Sequence, residues 1–167
     1  MYLNDFTLIQ TRVFDVCRFT YTKPIKEAES VEYNACYFTL NDLQVRFRTA
    51  KITPTKTGQF VTLWKRQTTN IIAPFDDKDL IDMVIISARK EKQFGHFVFP
   101  KSVLFEQGIL TIKNKEGKRG FRVYPPWDTT TNKQAIKTQR WQLNYFMDLS
   151  NDKTIDVESA KKLYKAK

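Results

Sequence analysis

Apolar residues recur every three or four positions over residues 3–21 (Phe6, Ile9, Val13, Val16, Cys17), a spacing that collects them on one side of a helix. Asn4 or Asp5 can cap its start, and Lys23-Pro24 ends it, because the residue before a proline is pushed out of the α region. The period then falls to two. Residues 33–40 and 44–52 read as strands joined by a tight turn at Asn41-Asp42. Tyr33, Ala35, Tyr37 and Thr39 point one way, and Cys36, Phe38 and Leu40 the other. The following strand puts Arg46 and Arg48 on one face and Val45, Phe47 and Thr49 on the opposite face. Thr53-Pro54-Thr55-Lys56-Thr57-Gly58 is a loop by composition, and residues 59–64 make a third strand.

Residues 71–82 hold a proline and the acids Asp76, Asp77, Asp79 and Asp82, and read mostly as loop. The unbroken apolar run 83–88 predicts a central strand covered on both faces, with 94–99 as its hairpin partner. Residues 101–107 form a short helix closed by Gly108. Residues 109–113 and 120–124 read as a hairpin turned at Glu116-Gly117. Pro125-Pro126 breaks the chain, residues 133–142 are helical, 143–149 form a last strand, and 156–166 a basic terminal helix. No repeat or low-complexity linker divides the sequence, so residues 1–167 are expected to form a single domain. With 41% hydrophobic residues it can bury a core. The predicted class is α+β: one mixed, mostly antiparallel sheet flanked by helices.

Charge changes the picture. Twenty-eight Lys and Arg against eighteen Asp and Glu give a net charge of +10, which speaks to partners rather than to fold. The stretch 44–66 carries Arg46, Arg48, Lys51, Lys56, Lys65 and Arg66 with no acid. Residues 113–122 carry Lys113, Lys115, Lys118, Arg119 and Arg122 against Glu116 alone. Lys101 opens a helix, and Lys133, Lys137 and Arg140 follow at helical spacing beside Trp141. Lys and Arg neutralise phosphates and release counterions, and aromatic rings among them can stack on unpaired bases. The candidate nucleic-acid contacts are therefore Arg46, Arg48, Lys51, Lys56, Lys65, Arg66, Lys101, Lys118, Arg119, Arg122 and Lys137, with Trp64, Tyr124 and Trp127 as stacking candidates. The plainer reading of any single run is a solvated face, and of each aromatic, packing at the core or its rim. The acid-free stretch 44–66 argues most strongly for an anionic partner.

Other chemistry is sparsely supplied. Cys17 and Cys36 read as two buried reduced thiols, with no disulfide framework or zinc spacing. His96 is the only histidine, and a Cys–His nucleophile pair rests on nothing but residue type. No apolar run approaches a membrane span, so membrane insertion is not expected, and the N-terminus lacks a secretory pattern. A helix followed by this order of strands resembles the core of the restriction-endonuclease-like nucleases, where an Asp on one strand precedes (Asp/Glu)-x-Lys on the next. Here Thr49-Ala50-Lys51 and Leu63-Trp64-Lys65 keep the lysine and lack the acid. The candidate catalytic set of Glu32, Asp42, Lys51 and Lys65 is thus incomplete, and the expectation leans away from an enzyme. No cofactor is expected, and Mg²⁺ only if the chain is a nuclease.

Longer motifs point to a family. Glu32-Tyr33-Asn34-Ala35, the run from Phe47 to Lys56, the run from Gly58 to Arg66, Arg89 to Gly95, Phe99-Pro100-Lys101, Gly117 to Asp128, and Lys137-Thr138-Gln139 with Trp141 and Tyr145-Phe146 resemble the bacterial MepB family over roughly residues 30 to 149. The resemblance implies a cytoplasmic protein encoded beside a multidrug efflux pump and its repressor. It also implies a nuclease-like fold and the binding of DNA or nucleotides. The expectation is a basic nucleic-acid-binding protein of low sequence specificity. Its alternatives are a degenerate metal-dependent nuclease and a basic adaptor for an acidic protein partner.

Overall fold

The period-two pattern builds the centre of the molecule. The computed structural model describes residues 4–165. Its main sheet contains β1 (Ile25–Lys26), β2 (Cys36–Leu40), β3 (Leu43–Thr49), β8 (Met83–Lys90), β9 (Gln93–Pro100) and β11 (Phe146–Asp148), in the order β1-β2-β3-β8-β9-β11. Between β3 and β8 the chain makes β4 (Lys51–Ile52), β5 (Gln59–Thr62), β6 (Trp64–Arg66) and β7 (Ile72–Pro74). β4 and β5 join β10 (Gly120–Val123) in a three-stranded sheet, and β6 and β7 form a separate ribbon. The hairpin β2–β3 turns at Asn41 and Asp42, both with positive φ (50° and 68°), as a two-residue turn matched to strand twist requires. β3 and β8 run parallel, Val45 beside Met83 and Thr49 beside Ser87, and the other neighbours in the main sheet are antiparallel. The protein is a mixed α+β structure.

Both faces of this sheet are covered, so its central strands carry apolar residues on both faces, with Arg48, Ser87 and His96 buried among them. On one face Met83, Ile85, Phe94 and Val98 meet Val45, Phe47, Phe38 and Leu40 beneath Ile9, Val13 and Phe14 of the N-terminal helix and Ala160 and Tyr164 of α4 (Val157–Lys165). On the other, Val84, Ile86, Ala88, Phe97 and Phe99 pack against Val61, Leu63, Phe121 and Val123 of the smaller sheet region and against Val103 and Leu104 of α2 (Lys101–Glu106). Trp141 of α3 (Lys133–Gln142) closes this layer on Phe99, ring centroids 5.3 Å apart.

Several expectations are corrected. The N-terminal helix comprises α1 (Asp5–Ile9) and a π-helical turn, Gln10–Phe14. Its cap is Asn4, whose side chain accepts from the Thr7 amide at 2.8 Å. It ends well before residue 21, and position 3 lies outside the described residues. The chain reverses at Arg18, with φ 58°, where the Phe19 amide donates to the Phe14 carbonyl, so Pro24 plays no part in stopping it. Residues 109–113 and 120–124 do not pair with each other. β10 pairs instead with β5, Gly120 to Thr62 through Val123 to Gln59. Residues 111–117 close on themselves: the Gly117 amide donates to Thr111 Oγ1, and a Cβ on Gly117 would stand 2.2 Å from the Ile109 carbonyl oxygen. The strand expected at 59–64 divides around Leu63 into β5 and β6. The loop expected at 71–82 contains β7. Residues 143–149 spend their first turn as a 3₁₀ helix, Leu143–Tyr145, before β11.

Candidate nucleic-acid interface

Arg46 and Arg48 project from one face of β3, Arg48 fully buried against the smaller sheet and Arg46 partly so, and buried charge needs a partner. Glu27, just past β1, supplies it. Its carboxylate accepts from both terminal nitrogens of Arg48 and from Arg46 Nη1 at 2.7 Å. Arg48 also donates through Nε to the Thr62 carbonyl at 3.0 Å, tying β3 to β5. The Arg48 side chain has no exposed surface. Burial pulls its pKa down, and the Glu27 carboxylate opposes that fall. These two cations are internal braces of the fold.

Other candidates are also occupied. Lys65 Nζ donates to Asp76 (2.9 Å) and Asp79 (2.7 Å); burial works against its charge, and the two carboxylates outweigh it, raising the pKa. Arg66 pairs with Glu29 at 2.9 Å and lies over the Trp64 ring. Arg119 pairs with Glu116 at 3.0 Å. Lys51 sits over Tyr33 and Lys101 over Phe105.

The remaining candidates converge. Lys56, Lys118, Arg122 and Lys137 line one cleft of about 740 Å³ between the 53–58 loop, β10 and α3, together with Tyr124 and Trp141. No described Asp or Glu lines it. The first turn of α3 lies in its wall through Asn132, Gln134 and Ala135, and a helix N-terminus adds partial positive charge. Local chemistry fixes the walls. Arg122 donates to the Thr57 and Gly58 carbonyls (3.3 Å each) and to Thr53 Oγ1 (2.7 Å), so the loop is held against β10. Gly58 has φ +85°, and a Cβ there would lie 2.6 Å from the Tyr124 ring. Buried Gln142 accepts from the Tyr124 amide (2.8 Å) and donates to the Arg122 carbonyl (2.9 Å), locking α3 to the end of β10.

A second cleft, of about 470 Å³, lies against the same loop and shares Thr55, Lys56 and Thr57 with the first. Lys90, Trp127, Asp128 and Ile52 line it. Trp127 therefore sits apart from Tyr124, its ring edge-on to Phe146 with centroids 5.8 Å apart. Trp64 lines neither cleft.

The structure does not bring the four candidate catalytic residues into one group, and only Glu32 and Lys51 lie near each other. Asp42 lies in the turn before β3 and Lys51 beyond its far end, about 30 Å apart along an extended chain. Lys65 is committed to Asp76 and Asp79. Glu32 is exposed in a short 3₁₀ turn, next to the Tyr33 ring that Lys51 covers. Among the described residues no three of His, Cys, Asp and Glu are grouped to hold a metal ion. His96 is fully buried, its Nε2 2.6 Å from Tyr164 Oη, and burial pushes its pKa down to about 3. Burial pushes the Cys36 thiol up to about 12 and raises Cys17 as well, the reverse of an activated nucleophile.

Sequence reasoning did not single out Glu27, Lys90, Asp128 or a role for Trp141 in the cleft. Glu27 was inferable. If the strand beside β3 is covered on both faces, cations on the inward face of β3 require a buried acid from elsewhere in the chain.

A family model described as MepB-like matches residues 27–148. A crystal structure of MepB is 34% identical, covers 92% of this chain and 100% of its own, and superposes with a TM-score of 0.77. A bacterial homing endonuclease structure is 14% identical over 84% of this chain and 90% of its own; its TM-score of 0.45 is too low to carry an argument. A search of curated proteins found no match.

Proposed function

We propose that this protein, which belongs to the MepB-like family, binds nucleic acid, DNA in the first instance, in the cleft between the 53–58 loop, β10 and α3. One observation carries the reading: Lys56, Lys118, Arg122 and Lys137 share a concave surface that no described carboxylate lines, with a helix N-terminus in its wall and Tyr124 and Trp141 beside them. Lysines contact phosphates as point charges and read no sequence, so the binding is of low sequence specificity. The aromatic rings give unpaired bases a surface to stack on. A cytoplasmic location, and a link to a multidrug efflux operon, belong to the same proposal. No described helix is long and apolar enough to cross a membrane. Cleavage is not proposed: Asp42 and Lys65 lie apart from Lys51, and Glu32 is the one acid of the candidate set near it.

Fluorescence anisotropy with a labelled duplex and a labelled single strand, over a salt series, tests the proposal. Affinity should fall steeply with salt, and Lys118→Ala or Lys137→Ala should weaken binding uniformly across sequences and lower the log–log salt slope by about 1 each. Lys162→Ala, on α4 at the opposite face of the main sheet, should leave both unchanged. Absence of binding at low salt, or an equal loss in the Lys162 variant, would refute it.

A further inference from the structure

The second cleft contains a group that a purely phosphate-binding surface would avoid. Asp128 is held by its backbone, its amide donating to the Pro125 carbonyl at 3.0 Å and its carbonyl accepting from Gln139 Nε2 at 2.9 Å. Its carboxyl makes no hydrogen bond or ion pair with any described residue. Burial raises its pKa, while Lys90 on the same cleft wall pulls it back toward the charged form. A half-buried carboxylate with no hydrogen-bonded or ion-paired partner, in a cleft that Lys56 and Lys90 also line, repels a phosphate placed against it. It attracts a pair of N–H donors.

Nucleobases differ sharply in what they offer such a group. An unpaired guanine presents N1–H and N2–H side by side, matching the two oxygens of a carboxylate. Thymine presents one imide N–H flanked by two carbonyl oxygens, which a carboxylate repels. Adenine and cytosine each place a ring acceptor beside the amino group. The cleft has the other features of a base site. The Trp127 indole and Ile52 supply apolar walls for a planar ring. The Trp127 N–H is buried without an acceptor, so no hydrogen bond fixes that ring in place. Because the clefts share Thr55, Lys56 and Thr57, a strand in the first reaches the second by crossing a single loop.

We propose that the second cleft is a base subsite that takes one unpaired guanine, whose N1–H and N2–H donate to the Asp128 carboxylate while the flanking backbone passes Lys56 into the first cleft. This rests on the nucleic-acid reading above and adds a preference at one position to binding that is otherwise sequence-tolerant.

The test uses labelled 12-mer oligo(dT) and the same strand with one central dG, dA, dC or deoxyinosine, measured by anisotropy at low salt. The dG strand should bind about tenfold tighter than all-dT, as one bidentate base contact supports. Deoxyinosine, which lacks the 2-amino group, should lose most of that gain. Asp128→Asn and, as a second variant, Asp128→Ser should each bring the dG-to-dT affinity ratio to about one. Equal affinity of wild-type protein for the dG and dT strands, or a ratio that survives both substitutions, would overturn the guanine subsite and leave the first cleft standing. Failure of every strand to bind at low salt would overturn both.

Discussion

Replacing Glu27 with glutamine changes one atom and removes the carboxylate that Arg46 and Arg48 share. The Arg48 side chain is 0% exposed and that of Glu27 7%, so the comparison is with buried ion pairs rather than surface ones. Breaking a buried pair by deleting one partner costs about 3–5 kcal/mol, against roughly 0–1 kcal/mol for an exposed pair. The substituted amide would keep one acceptor oxygen for the Arg48 fork, which places the expected loss near the lower end, about 3 kcal/mol. That is a large share of the ~5–15 kcal/mol that holds a domain together. With a urea dependence of about 2 kcal/mol per molar, the unfolding midpoint should drop by roughly 1.5 M. Urea melts followed by circular dichroism and tryptophan fluorescence measure it directly. Glu29→Gln is the control, because the Glu29–Arg66 pair is far more exposed. The double variant Glu27→Leu with Arg48→Met should recover part of the loss, since the fully buried charge goes with its acid and only Arg46, 21% exposed, is left without one. A Glu27→Gln shift no larger than that of Glu29→Gln would mean that Arg48 is solvated, and the assignment of Arg46 and Arg48 to the scaffold would fall.

Three further outcomes are expected. His96 is buried and neutral with its pKa lowered to about 3, whereas an unfolded histidine titrates near 6.5, so protons favour the unfolded chain and stability falls from about pH 6.5 down to 3, by about 5 kcal/mol in full. His96→Gln should flatten this part of the stability–pH profile, and parallel wild-type and variant profiles would contradict the assignment. For Asp128 the folded pKa is raised, so its penalty is absent in acid and present once the carboxyl ionises; Asp128→Asn should be more stable than wild type at pH 7 and equal to it at pH 3 by urea melts, and a variant less stable at pH 7 would reverse the sign. Gly58→Ala forces a side chain into φ +85° against the Tyr124 ring and should cost about 1–2 kcal/mol as well as weakening DNA binding; an unchanged Tm would show that the loop accommodates it.

Much of the main sheet was legible because its periodicity is strong. The alternation over 33–40 and 44–52, the unbroken run at 83–88 and the helical spacing over 133–142 each mark an element, although the first strand begins only at Cys36, after a 3₁₀ turn over Val31–Tyr33, and the second is interrupted at Ala50. The β5–β10 pairing was not legible. Residues 109–113 lie closer in sequence to 120–123 than 59–62 do, and a local turn at Glu116-Gly117 is equally compatible with either partner; only the packing of Phe121 and Val123 against Val61 decides. The candidate interface was half legible for the same reason. Composition shows that 44–66 has no acids, but β3 alternation turns Arg46 and Arg48 inward, and Glu27, Asp76 and Asp79 arrive from segments that a local window does not include. Lys56, Lys118, Arg122 and Lys137 come from three separate runs, and nothing local distinguishes them from their neutralised neighbours.

The parallel contact at the middle of the main sheet bears on how the chain reaches this shape. The β2–β3 and β8–β9 hairpins each close over two-residue turns and can form early and independently. Joining them edge to edge requires residues 50–82 to be drawn into a closed loop, an entropic cost of about 3 kcal/mol before Val45 and Met83 meet. The excursion that carries the cationic loop is thus also the segment that sets the order of assembly, and lengthening it should slow folding more than it lowers stability.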